Sequence, residues 1–122
     1  MNPVKVVRQI RAHVRKLNPD VKIEAQHALM PYRGKTTGPH ADAVRRAIRF
    51  AFGKTPVFVR EGGSIGAVLT MEQRLRAPVS FIGLSLPEHG YHAPNENYDW
   101  GQASGGMVAF RRYFEELAAL GR

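Results

Sequence analysis

Val4, Val7, Ile10, Val14 and Leu17 recur at three- or four-residue intervals, the spacing of one helical face. Lys5, Arg8, Arg11 and Arg15 lie off that stripe and Pro3 suits a first turn, so a helix is predicted over Met1–Leu17. The period then changes to two. Val21, Ile23 and Ala25 alternate with Lys22, Glu24 and Gln26, which predicts a half-wet strand over Val21–Ala28. Leu29–His40 holds Pro31, Gly34, Gly38 and Pro39 and reads as a linker. A second helix is expected over Ala41–Phe52, on the stripe Val44, Ala47, Ile48 and Ala51. Gly53 is its natural stop. Val57-Phe58-Val59 predicts a short strand ending at Arg60, and Ile65–Leu75 a third helix with Val68, Leu69 and Leu75 inward. Pro78 opens a further strand, Val79–Leu84. A loop to Asp99 precedes a last helix over about Ser104–Leu120, with Met107, Phe110, Phe114 and Leu117 spaced for burial.

The order is α-β, linker, then α-β-α-β-loop-α. Such alternation predicts an α/β fold with parallel strand pairs in its second part. Two strands do not complete a sheet of that kind, so the second part is expected to be the edge of something larger.

A chain of 122 residues fits one domain or part of one, and its length lets it bury roughly two-thirds of its unfolded surface. The absence of cysteine excludes a disulfide scaffold, Cys-ligated metal and a Cys nucleophile. It also fits a reducing, cytoplasmic setting. No run is long and apolar enough to span a bilayer, so no membrane partner is expected. The net charge of +8 raises a nucleic-acid reading. Against it, the basic residues spread over three separate helices and no nucleic-acid motif is present, so no nucleic acid is expected. The Arg-rich start also has the pattern of a transit peptide, but it leads directly into Asn18-Pro19-Asp20 and a strand.

Two segments stand where the pattern breaks after a strand, the place where ligands collect in open α/β sheets. The first is Arg60-Glu61-Gly62-Gly63-Ser64. Paired glycines let backbone approach a ligand, and a strand–turn–helix start presents N–H groups to a carboxylate or phosphate. Ser64 lacks the flanking glycines of a nucleophile elbow and suits an N-cap better. The second segment is His92-Ala93-Pro94-Asn95-Glu96. His92 is the leading metal-ligand candidate and His89 an alternative. Glu96 and Asp99 lie near enough in sequence to assist a metal or to cap and brace the loop. A catalytic zinc needs about three protein ligands. His13, His27 and His40 show no spacing that supplies them, and no His-Glu-x-x-His occurs.

Arg60-Glu61-Gly62-Gly63-Ser64-Ile65 and His92-Ala93-Pro94-Asn95-Glu96 together resemble the last third of the zinc exopeptidases that include aminoacylase, carboxypeptidase G and carnosinase-type dipeptidases (metallopeptidase family 20). The resemblance extends over nearly the whole chain. It implies the C-terminal part of a catalytic α/β domain, residues 37–122, preceded by the second half of an α+β lid or dimerisation domain plus linker, residues 1–36. It implies two zinc ions per complete site, with His92 as the last metal ligand and Asn95 and Glu96 orienting its loop. Gly62, Gly63 and Ser64, with Arg60, are then the substrate-binding segment. The family has proline where Gly66 stands. Its other metal ligands and its general-base glutamate lie in an N-terminal part absent from this sequence, so no catalytic residue is expected here. The function implied is that of a fragment of a dinuclear metallopeptidase cleaving dipeptides or N-acyl amino acids, inactive alone. Its expected partner is the missing half or a second copy. The alternative is a non-catalytic interaction or oligomerisation module.

Overall fold

The computed structural model describes residues 2–26, 29–61 and 65–121. Among the described residues there are four α-helices, α1 Pro3–Leu17, α2 Pro39–Phe52, α3 Ala67–Leu75 and α4 Trp100–Leu120. A single 3₁₀ turn spans Pro87–His89. The chain divides into two compact units, Met1–Arg33 with Gly62–Val79, and Gly34–Glu61 with Ser80–Arg122.

The expected strands do not pair among the described residues. Among the described residues, 21–26, 55–61 and 78–86 carry no strand, which corrects the α/β reading. The period-two pattern itself survives. Ile82, Leu84 and Leu86 are half-buried between exposed Phe81, Gly83 and Ser85, the alternation of an extended chain. A ladder needs a neighbouring backbone at the right register, and no described segment supplies one. Residues 27 and 28, the end of the first expected strand, lie outside the described residues.

In the first unit, the Asn2 side chain accepts the N–H groups of Val4 and Lys5 and so starts α1. Arg11 Nε donates to the Ile23 carbonyl at 3.2 Å. None of the α1 residues is buried; Val6, Val7 and Val14 are half-covered, while Ile10 and Leu17 are exposed. Helix α3 buries Val68, leaves Leu75 exposed and ends at Arg76 in the left-handed region, φ 51°. Tyr32 Oη donates to the Val79 carbonyl at 2.7 Å.

The second unit is built on α2 against α4. Pro39 opens α2, and Gly53 at φ 67° closes it by donating its N–H to the Arg49 carbonyl. Ala41, Ala43, Val44 and Ala47 are its buried residues. Helix α4 meets it with the face carrying Gly105, Ala109 and Glu116, the last two of them buried; the adjacent buried Gly106 faces Leu84 instead. Arg46 of α2 and Arg112 of α4 both donate to the Glu116 carboxylate. Those two bonds, Arg46 first, hold its pKa below the usual glutamate range. Arg45 lies over the Phe58 ring at 4.6 Å from its centroid.

This arrangement inverts the face of α4 expected to be buried. Met107, Phe110 and Phe114 are 58%, 42% and 66% exposed, and Leu117 is half-covered. Apart from Glu116, the inner face is made of small residues where the helices approach closely. A Cβ on Gly105 would overlap Phe52 Cε1 and stand 2.7 Å from Cζ. The helix also starts four residues earlier than expected, at Trp100. Gly101, Gly105 and Gly106 are poor helix formers and hide that start in the sequence.

Gly105→Ala should therefore lower stability by about 1 kcal/mol despite its gain in helix propensity, because overpacking against an aromatic ring costs about 1–3 kcal/mol. Urea unfolding checks this; a raised midpoint would show that Phe52 yields freely. Glu116 adds a pH dependence. Its folded pKa is depressed, so its contribution is complete above the ordinary glutamate value of about 4.3. That contribution disappears as the pH falls through the lower folded value. Glu116→Gln should flatten that acid limb in a plot of urea midpoint against pH.

Candidate functional site

The segment 90–96 is two turns in succession. The Ala93 N–H donates to the Gly90 carbonyl at 2.8 Å, and the Glu96 N–H to the Ala93 carbonyl at 3.2 Å. The third residue of each turn has positive φ: His92 at 59° and Asn95 at 62°. The residues before them do not. That is the pattern of type II turns, which favour Pro at the second position and Gly or Asn at the third. Pro94-Asn95 matches it directly. His92 occupies the third position of the first turn, where a residue with a Cβ is strained by roughly 1–2 kcal/mol.

His92 is exposed, as are Asn95 and Glu96. Its imidazole stacks on the Tyr91 ring with centroids 4.0 Å apart and planes 29° apart. The turn thus leaves the imidazole exposed and resting on Tyr91. Asn95 enters the second turn through its backbone. Its positive φ makes the second turn, and its carbonyl accepts from Asn97 Nδ2 at 3.3 Å. Arg60 is exposed at the end of the 55–61 segment. Gly62, Gly63 and Ser64 lie outside the described residues, so their expected substrate-binding turn is not described beside His92.

His89, the alternative ligand, is excluded by its surroundings. It is 2% exposed, and both ring nitrogens are engaged. Nδ1 accepts the Leu86 N–H at 3.0 Å, with Ser85 Oγ at 3.3 Å. Nδ1 is therefore the bare nitrogen, and Nε2–H donates to Asp99 Oδ2 at 2.7 Å. Tyr98 packs edge-on against the same ring, centroids 5.5 Å apart. Asp99 is the N-cap of α4: its Oδ1 accepts the Gln102 N–H at 2.9 Å. That bond first, then the His89 bond, holds its carboxyl below the usual aspartate range. Asp99 therefore caps and braces. A capping or bracing role for Asp99 was open from the sequence, but the helix it caps was expected four residues later, and nothing in the spacing signals its pairing with His89.

Among the described residues no three His, Asp or Glu side chains converge on a possible metal position. One outward imidazole fits a single ligand of a metal site and does not make a site by itself. No described helix is long and apolar enough to cross a membrane.

No protein-family model matches the chain. The Cys-Gly metallodipeptidase of Schizosaccharomyces pombe is 37% identical over 81 residues, 66% of this chain. The Cys-Gly metallodipeptidase of Saccharomyces cerevisiae is 34% identical over 77 residues, 61% of the chain. The Beta-Ala-His dipeptidase of Homo sapiens is 31% identical over 78 residues, 64% of the chain. The matches cover 17%, 16% and 15% of those proteins. The chain thus spans about one-sixth of the length of the curated relatives it matches.

The turn geometry predicts that Asn95→Gly is tolerated, whereas Asn95→Val lowers stability by about 1–2 kcal/mol, the strain of a β-branched residue at positive φ. Paired urea titrations test it. Equal midpoints for the two variants would show that the second turn relaxes to another form.

Proposed function

We propose, from the homology of this chain to the metallodipeptidases of metallopeptidase family 20, that it supplies one metal ligand and a substrate-contacting turn to a dinuclear zinc hydrolase. The substrates are dipeptides or N-acyl amino acids. The observation that carries the reading is the 37% identity over 81 residues to a Cys-Gly metallodipeptidase. The exposed His92 at the head of two tight turns agrees with it.

In this reading the metal, when bound, polarises the scissile amide and activates water. This chain's part is to hold His92 outward at fixed orientation and to seat the substrate carboxylate at Gly62, Gly63 and Ser64, with Arg60 adjoining. Asn95 and Glu96 set the course of the loop. The remaining ligands and the general base come from outside these 122 residues, so the chain alone does not turn over substrate. The lid assignment of residues 1–36 and the catalytic assignment of 37–122 belong to the same proposal, as does a cytoplasmic location.

One observation favours a second reading, a non-catalytic interaction or oligomerisation module. The stripe Met107, Phe110 and Phe114 is large, apolar and exposed, and surfaces of that kind mark association.

A chimera decides between the two. The matched segment of the S. pombe Cys-Gly metallodipeptidase is replaced by that of this chain, and metal-dependent dipeptide hydrolysis is measured. Activity is expected, with a loss of at least about a hundredfold on His92→Ala, since removing a first ligand costs no less than disturbing its support. Undiminished activity in that variant would remove His92 from its role. Light scattering on the isolated chain tests association: a mass above 13.6 kDa is expected, reduced by Phe110→Ser with Phe114→Ser. A monomer at tens of micromolar that binds no apolar dye would count against association.

A further inference from the structure

We infer that His89 is a positioning residue, which through its bond to Asp99 fixes the two turns that present His92. The inference rests on the proposed role of His92 and adds a residue to it.

Among the described residues, the largest fully buried side chain is His89. A hydrophobe of similar volume would fill the space equally well. The imidazole does something a hydrophobe does not: it accepts at one edge and donates at the other. Nδ1 takes the Leu86 N–H at 3.0 Å, and Nε2–H reaches Asp99 Oδ2 at 2.7 Å. The His89 carbonyl accepts the Asn97 N–H at 2.9 Å. Residues 86, 89, 97 and 99 are thereby tied together, and everything between Gly90 and Glu96 is a loop closed at its base. Within that loop His92 and Asn95 both hold positive φ. Strained residues persist only where the surroundings over-determine them, and the base bonds supply that constraint. Asp99 anchors the assembly because its other oxygen caps α4. The orientation of His92 is therefore referred to a helix rather than to a free loop. Hydrogen-bonded groups behind a metal-binding histidine commonly set its aim in this manner.

The test uses the 122-residue chain, isotope-labelled, with zinc ion alone as the probe. In Asp99→Asn, Oδ1 still accepts from Gln102, so the cap is kept. An amide donor then faces Nε2–H and the latch is lost. Faster amide exchange at Ala93, Glu96 and Asn97 is expected. So is a change in the His92 ring shifts set by the Tyr91 stack, and about tenfold weaker zinc perturbation of His92. Exposed His40 in the same spectra should be unaffected. Unchanged exchange and ring shifts at the loop would overturn the positioning role. Zinc perturbing His92 no more than His40 in the wild-type chain would instead sink the metal-ligand reading and leave the latch standing. A wild-type measurement covers the case in which the variant does not fold. Long-range ¹H–¹⁵N spectra should place the His89 proton on Nε2, and a proton on Nδ1 overturns the latch outright.

Discussion

Helix α4 reaches α2 through residues with little or no side chain, and the loop that carries His92 depends on that contact. Gly105 sits where any Cβ would meet the Phe52 ring. One turn on, Ala109 is fully buried. Further along, Glu116 is gripped by an arginine from each helix. Close approach makes the helix pair dense, and the buried carboxylate fixes its rotation, since an unpaired charge there is costly. With α4 so held, its first residue has one place to be. Asp99 caps it, His89 is bound to Asp99, and the turns follow. The loop is thus tied, through Asp99, to a helix that is itself packed farther along its length.

The same contact explains the exposed stripe. Met107, Phe110 and Phe114 are as strongly periodic as any core residues in the chain. Periodicity states which face gains from being covered; it does not state that the cover lies in the same polypeptide. The stripe could not meet α2 at the distance that Gly105 and Ala109 allow, so the small face took that place. Similar reasoning applies to the three extended segments. Alternation at 81–86 reads correctly as extended backbone, but ladder formation is a property of pairs. One segment's sequence does not contain its partner. Helices close their hydrogen bonds internally, and all four were legible for that reason, the start of α4 excepted.

At the candidate site the legible parts were local. Pro94-Asn95 specifies its turn through proline's fixed φ and asparagine's tolerance of the left-handed region. Asp99 has the chemistry of a cap, although the glycines after it hid which helix it starts. His92 was separable from four other histidines only by its company. His89 shows why such reading stops there. Two histidines three residues apart, in one loop, have opposite fates: one is buried with both nitrogens engaged, the other is outward with its ring stacked on a tyrosine. The deciding factor is the backbone path between them, which Gly90 at φ 66° turns sharply. After that turn His92 cannot follow His89 inward.

This division of labour has a chemical consequence. A metal-binding imidazole must be unprotonated at the ligating nitrogen and held in one orientation. If both demands fell on one residue, burial would orient it but bar the metal. Here the imidazole that is buried, His89, and the one that is exposed, His92, are different residues. The strain of two left-handed residues, roughly 1–2 kcal/mol each, is offset at the base of the loop rather than at its tip. At the tip, two hydrogen-bonded turns hold the backbone and the His92 ring rests on Tyr91, exposed to solvent.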